Sequence, residues 1–573
     1  MSTTLLSFSK LAMSLSLVFA IGACSGVNST SSTASSATAD SGSQPVEFYA
    51  NQVGFLPQQQ KHIVVRTSQA VSYRVTNTAS GKTVLEGTTS SPDYWPLADQ
   101  TVAIADVSSI TAPGLYRLSL GDNDYTTFRI SVQRVSALHD AAIKAYYYNR
   151  AGMALDPAFA GKWHRKAGHP DTYVLNLNQP QVSLASPKGW YDAGDYNKYS
   201  VNSGISTYTL MRAYLDFPAF YAQRRWNIPE STNNRPDLLD EISWNLDWML
   251  TMQDQDGGVF HKLTTLNFAP AVMPAEATEQ RYVVAKGTAA SLNFAAVMAT
   301  AARVYPQQQS NFLAAAKKAW QWALENPQVA YKNAENVRTG EYGDSSFNDE
   351  FAWAASELFI TTGEQDYLIE AQRYLGSPST PGWSDTMGLA YLSLLSEQGQ
   401  NALPAERYQI LKTRFLDYAD ALVETSQASP FRTAMTANDF VWGSNGVAMN
   451  HAMVLASAYR MSNNPDYRHT FTGLVDYVLG KNPVDYSYVT GFGETSPRFI
   501  HHRQSHADGI AEPVPGFLVG GAQNGQQDNC QYSASLPATS YKDNWCSYST
   551  NEVTINWNAP LVYSLAAMLT LTE

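Results

Sequence analysis

The chain has 573 residues, 15% of them charged and 12% aromatic, with 33 Tyr, 22 Phe, 13 Trp and a formal net charge of −12. That length calls for two or three domains. The acidic balance and the lack of a basic run to meet phosphates argue against nucleic acid as a partner. A surface richer in rings and hydroxyls than in charge suits a neutral, hydroxylated ligand, with core packing the competing use of the rings.

The first 24 residues read as an export leader. Lys10 gives a sparse positive start, and "LAMSLSLVFAIGA" is apolar but short for a membrane span. The leader ends in "IGAC", like a bacterial lipoprotein cleavage site, with Cys24 the residue to be lipidated and Ser25 after it pointing to the outer membrane. A plain signal peptide that happens to contain a cysteine is the alternative. Residues 25–44, rich in Ser, Thr and Ala, read as a tether. In such an oxidising compartment Cys530 and Cys546 are expected to form a disulfide, although spacing leaves two free thiols open.

From residue 45 to 132 short alternating segments, "HIVVRT", "YRVTNT", "TVLEGTT", "TVAIADV", "GLYRLSL" and "YTTFRIS", are separated by turn residues and predict a small β-sandwich. From 135 to 573 the texture is helical. "RPDLLDEISWNLDWMLTMQ" spaces Leu238, Leu239, Ile242, Leu246, Met249 and Leu250 three and four apart, with Pro236 suited to a first turn. About a dozen such segments, joined by long Gly/Pro/aromatic loops, predict a toroid of paired helices. A repeat solenoid would need a fixed sequence period, and none is evident. Among the loops, residues 259–281 are expected to line a cleft.

Two irregular segments carry acids among aromatics and Asn: "GWYDAGDYNKY" at 189–199 and "YKDNWCSYSTNEVTINWNAP" at 541–560. Carboxylates brought together from distant parts of a chain are the equipment of glycoside hydrolysis, one protonated to assist the leaving oxygen and one ionised to activate water or attack the sugar. Burial against rings raises one pKa, and polar donors keep the other acid charged. Taken alone, either motif is weak, since paired acids more often cap helices or bind calcium.

With "YANQVGFLP", "FVWGSN" and "SYVTGFGETSPRFIHHR", these segments make nearly everything after Pro45 resemble the family 9 glycoside hydrolases, which include cellulases and cellodextrinases. The resemblance implies an (α/α)6 barrel behind an immunoglobulin-like β-sandwich, a mainly α chain. It implies Asp195 as general base, Asp192 as a second holder of the attacking water, Glu552 as general acid and Asp543 as an orienting group. His501 and Arg503 would bond sugar hydroxyls, and Trp442, Trp557 and Tyr191 would contact the sugar, with core packing the competing use of the tryptophans. Inversion is implied as well, with the Asp195 and Glu552 carboxylates about 6.5–9.5 Å apart.

No cofactor is implied for the chemistry. "GDSSFNDE" resembles a calcium loop of the family, with Ser345, Asp349, Glu350 and Asp385 as oxygen ligands, though Asp349 and Glu350 would also suit a first helical turn. Ala151 and Gly168 stand where many relatives carry zinc-binding thiols, so His169 is left without a site and no zinc is expected. Thr495 departs from a position often basic in the family, which leaves substrate preference open. Three readings follow: a monomeric β-1,4-glucan or cello-oligosaccharide hydrolase held at a membrane only by its lipid, an exo-acting enzyme on glucosamine oligomers, or an inactive glycan-binding lipoprotein.

Overall fold

The structure is a computed structural model that describes residues 46–572 apart from Asp122. The leader, the lipidation candidate Cys24 and the Ser/Thr-rich tether lie outside the described residues. Among the described residues no helix is long and apolar enough to cross a membrane.

Eight strands open the described residues: β1 (Phe48–Tyr49), β2 (His62–Arg66), β3 (Ser72–Asn77), β4 (Thr83–Thr88), β5 (Asp93–Trp95), β6 (Gln100–Asp106), β7 (Gly114–Leu120) and β8 (Asp124–Ile130). They form two sheets, ordered β1-β2-β6-β5 and β4-β3-β7-β8. Ile63, Val65, Val75, Tyr116, Leu118 and Phe128 fill the space between them. The first sheet is covered on both faces. Val64, Val102 and Trp95 belong to the core of the helical domain, so β2 reads as the unbroken apolar run "IVV" rather than an alternation. Trp95 lies 5.0 Å from the Phe431 ring, and Asn51 donates to buried Asp476 at 2.7 Å.

Twelve helices of eight or more residues follow among the described residues. They are α1 (Val132–Tyr148), α2 (Ser200–Asp216), α3 (Asp237–Thr251), α4 (Thr288–Val304), α5 (Gln309–Glu325), α6 (Asn348–Thr362), α7 (Gln365–Tyr374), α8 (Met387–Leu394), α9 (Ala405–Ala428), α10 (Ser444–Ser462), α11 (Pro465–Val478) and α12 (Ile555–Leu571). The even-numbered helices touch in a closed ring, α2-α4-α6-α8-α10-α12 and back to α2. Most odd-numbered helices pack outside a neighbouring member of that ring, which gives the (α/α)6 barrel.

The sequence explains which helix goes where. Inner helix α4, "TAASLNFAAVMATAARV", is buried on every side except near Arg303, and its many alanines allow close approach to both ring neighbours. Outer helix α9 buries only a stripe that includes Tyr408, Leu411, Phe415, Ala419 and Leu422, the pattern of a surface helix.

A small sheet sits among the barrel loops: β9 (Val174–Asn176), β10 (Gln179–Leu184), β11 (Lys198–Tyr199), β12 (Lys262–Thr264) and β13 (Tyr282–Val283), in the order β10-β9-β13-β12-β11. It ties the 189–199 loop to the 259–281 loop. Cys530 and Cys546 form a disulfide with their Cα atoms 5.4 Å apart. Near it, Asp528 accepts from the Ser547 hydroxyl at 2.9 Å and the Ser549 N–H at 3.2 Å, which fixes the approach to Glu552.

Candidate active site

Asp192, Asp195 and Glu552, up to 360 positions apart in the chain, line one cleft of about 370 Å³. Its walls include Phe268, Tyr342, Trp383, Trp442, Asn556 and Trp557. The 189–199 loop is braced from within. Asp192 N–H donates to the Asn197 carbonyl at 3.0 Å, and the Asn197 side chain turns back to give Asp195 Oδ2 a hydrogen bond of 2.5 Å. Tyr199 donates to the same oxygen at 3.1 Å. Asp192 accepts from Asn202 at 2.6 Å and from the Tyr342 hydroxyl at 2.8 Å.

Glu552 follows a short turn before α12, and its backbone pairs with that of His501. Burial, then the negative charge of Asp195, pushes its carboxyl up to about 8. The same two causes raise Asp192 to about 8, against the pull of its Asn202 and Tyr342 donors. Three buried acids so close cannot all be ionised near neutral pH. Gly194 lies between them in an unusually tight place: a Cβ there would collide with the His501 carbonyl and sit 3.1 Å from Glu552 Oε1.

Asp543 works from behind. It accepts from the Arg498 and Phe499 N–H groups at 2.8 and 2.9 Å, the Tyr486 hydroxyl at 2.9 Å and the Asn551 side chain at 2.9 Å. One carboxylate thus joins the segment before His501 to the residue before Glu552. His501 stacks on Trp545 with ring centroids 4.3 Å apart and donates from Nδ1 to the Trp545 carbonyl at 2.8 Å. Burial holds its imidazole down at about 4, so the ring is neutral and Nε2 is an acceptor. Arg503 spends Nε on the Ala269 carbonyl at 2.7 Å and Nη1 on the Gly194 carbonyl at 2.8 Å. Its guanidinium lies 5.2 Å from the Phe268 ring centroid and ties two walls of the cleft together.

Trp442 is 41% exposed and leans on Tyr548 with centroids 5.4 Å apart. Trp557 packs its indole against the backbone of Gly443 and Gly446.

Tyr191 corrects the sequence reading. It is buried, shares a hydrogen bond of 2.8 Å with His169 Nδ1, and packs with Tyr196 and Ala151 away from the cleft. Asp192 faces the cleft, and on an extended stretch the neighbouring side chain points the opposite way.

The expected calcium ligands are also only partly gathered. Asp349 and Glu350 are both buried at the start of α6. Both Glu350 oxygens are buried without a partner, and burial together with Asp349 and Asp344 raises its carboxyl well above the usual range. Ser345, however, is exposed, and Asp385 Oδ1 accepts from the Ser379 hydroxyl at 2.8 Å and the Met387 N–H at 3.1 Å. Among the described residues no three His, Cys, Asp or Glu side chains converge as metal ligands. A local cap takes up Asp385 and Ser345 faces solvent, which leaves the Asp349–Glu350 pair. At the thiol-less positions, the Gly168 Cα lies against Pro274 without room for a side chain. His169 there lies between the Tyr191 and Tyr196 rings.

Tyr342, Trp383, Asn197, Asn202 and Tyr199 were not singled out from sequence. Tyr342 immediately precedes the "GDSSFNDE" stretch and holds a left-handed φ of 48°, a strained geometry that clusters at functional sites. That strain is invisible in sequence.

Comparison with known proteins decides the family. Residues 136–565 match the family described as Glycosyl hydrolase family 9, and residues 46–124 match the Cellulase N-terminal ig-like domain. The chain belongs to glycosyl hydrolase family 9. It is 42% identical to the "Xyloglucan-specific endo-beta-1,4-glucanase BoGH9A" of Bacteroides ovatus, over 91% of this chain and 93% of that protein. It is 34% identical to "Endoglucanase D" of Acetivibrio thermocellus, over 91% and 83% respectively. Among solved structures, "Bacteroides ovatus GH9" superposes with a TM-score of 0.85 at 40% identity, covering 92% of this chain and 99% of that one. As a family 9 member this protein is a glycoside hydrolase, with an immunoglobulin-like sandwich in front of an (α/α)6 barrel.

Proposed function

We propose that this family 9 hydrolase is an inverting endo-β-1,4-glucanase acting on soluble β-glucans, xyloglucan among them, and on cello-oligosaccharides. The observation that carries the proposal is the unequal treatment of the acids in one aromatic-walled cleft. Asp195 has two side-chain donors, whereas Glu552 is buried and raised to about 8.

In this reading Glu552 holds a proton at neutral pH and gives it to the glycosidic oxygen as the bond to the anomeric carbon breaks. Water attacks that carbon from the opposite face and loses its proton to Asp195, while Asp192 holds the water's second hydrogen. The anomeric configuration inverts and no glycosyl-enzyme forms. Trp442, Trp557 and Trp383 offer flat faces for the apolar sides of glucose. The His501 Nε2 acceptor and the Arg503 guanidinium serve hydroxyls at the cleft edge.

The relative specific for xyloglucan supports a cleft that admits a branched chain. Incubation with xyloglucan, carboxymethylcellulose, cellopentaose and chitosan pentamer tests the reading. Mid-chain cleavage of the glucans is expected. Cleavage of the chitosan pentamer alone would favour the exo-glucosaminidase, and intact oligomers throughout would favour the glycan-binding lipoprotein.

Outside the cleft, a calcium ion held by Asp349 and Glu350 would relieve two adjacent buried acids and satisfy the orphaned Glu350 oxygens. The leader and Cys24 support export and lipid anchoring, with the barrel in the periplasm or on the cell surface.

A further inference from the structure

Lys262 is fully buried on β12, and all three of its ammonium N–H groups are taken by neutral oxygens. These are Asn333 Oδ1 at 2.8 Å, Thr339 Oγ1 at 2.9 Å and the Gly340 carbonyl at 2.6 Å. The contrast is Lys198, equally buried on the neighbouring strand, which pairs with Asp171 at 2.8 Å. Burying an ammonium among neutral acceptors is costly, and a neutral donor could make much the same bonds. The charge itself therefore calls for an explanation.

Its surroundings supply one. Lys262 stands opposite Tyr199 in the β11–β12 register, with Nζ 5.5 Å from the Tyr199 ring centroid. The Tyr199 hydroxyl donates to Asp195 Oδ2 at 3.1 Å, and Asp195 is itself 4% exposed. The other groups facing Lys262 are Tyr331, whose ring centroid is 5.7 Å away, neutral His261 stacked on Tyr331, and Glu341. Glu341 is exposed, so solvent screens it.

We infer that Lys262 is a positioning residue for hydrolysis, whose buried ammonium, acting through Tyr199, selects Asp195 as the member of the acid cluster that carries the negative charge. Burial pulls Lys262 down to about 7, and Asp195 is the strongest influence holding the proton on. The charge is thus present at mildly acidic pH and fades above neutrality. Loss of the ammonium frees the negative charge to move to Asp192 or Glu552, which leaves base and acid exchanged or idle.

This inference rests on the hydrolytic reading, so wild-type turnover of cellopentaose and xyloglucan is the control that tests that reading by itself. With active wild type in hand, kcat/KM is measured against pH for Lys262→Met, Lys262→Gln and Lys262→Arg in the full chain. The neutral variants are expected to lose about 10–100-fold in kcat and to move the acidic limb up by about one pH unit, with KM nearly unchanged. Lys262→Arg should keep the limb at its wild-type position. A loss of activity with an unmoved limb, or no loss, overturns the inference.

Should every Lys262 variant fail to fold, Tyr199→Phe provides the second arm, since it removes the hydroxyl through which the ammonium reaches Asp195. Its kcat/KM profile on cellopentaose should show the acidic limb moved up by about one pH unit, with KM nearly unchanged. An unmoved limb counts against the path from Lys262 through Tyr199.

Discussion

The two loops that furnish the acids are built in opposite ways. The 189–199 loop holds its carboxylates with side-chain donors, Asn197 and Tyr199 on Asp195 and Asn202 and Tyr342 on Asp192. The 541–554 loop spends its polar side chains on bracing, Asp543 on donors from Asn551, Tyr486, Arg498 and Phe499 and Ser547 on Asp528, and leaves Glu552 to burial and the repulsion of Asp195. Identical chemistry in the side chains is thus divided into a base and an acid by what surrounds them.

Replacing the acid should break that contrast most completely. Glu552→Gln should keep the fold and lower kcat/KM on cellopentaose by about 10²–10⁴-fold, while an aryl cellobioside with a good leaving group loses far less. The part of the alkaline limb that Glu552 sets near pH 8 by losing its proton should vanish from the profile on the activated substrate, leaving the fall that Lys262 sets near 7. Stability carries the same signature. The folded-state pKa lies above the ordinary carboxyl value, so the native protein holds a proton that the unfolded chain gives up. Stability is therefore lost as pH rises from the usual carboxyl range to about 8. Glu552→Gln should raise the unfolding midpoint at pH 8 by about 2 °C or more and leave it nearly unchanged at pH 4. Equal effects at both pH values would contradict the raised pKa.

A smaller effect is expected where the second loop is only braced. Asp543→Asn offers an N–H₂ where the Arg498 and Phe499 N–H groups need an acceptor, and each hydrogen bond lost costs about 0.5–1.5 kcal/mol. Both KM and kcat should worsen as the segments before His501 and Glu552 shift, and the pH limbs should stay in place. A moved limb would make Asp543 part of the proton chemistry.

The smallest effect is expected from metal. Chelation should lower the midpoint by a few degrees, calcium should restore it, and Asp349→Asn should abolish the response. Metal analysis showing no calcium in protein purified without chelator would remove the ion from the account.

The barrel was legible because its chemistry repeats. Amphipathic stripes such as Tyr408, Leu411 and Phe415 mark outer helices, and Ala-rich runs such as 288–304 mark inner ones. The edge strands β1 and β5, two and three residues long, are too short to carry an alternation and went unread. In the site, Asp192, Asp195 and Glu552 were readable through motif and resemblance, since both loops break helical periodicity around acids. Tyr342 and Trp383 were not, because their place depends on a left-handed backbone turn and on ring closure of the barrel. Tyr191 misled for the opposite reason: adjacency to Asp192 in sequence means opposite faces in an extended loop.

The stereochemistry of the first product tests the division of labour between Asp195 and Glu552 most directly. Proton NMR of cellopentaose during the first minutes of hydrolysis should show the α-anomer accumulating ahead of mutarotation, as attack by an Asp195-activated water requires. Initial accumulation of the β-anomer would mean that a carboxylate attacks the sugar, and would contradict this assignment of base and acid.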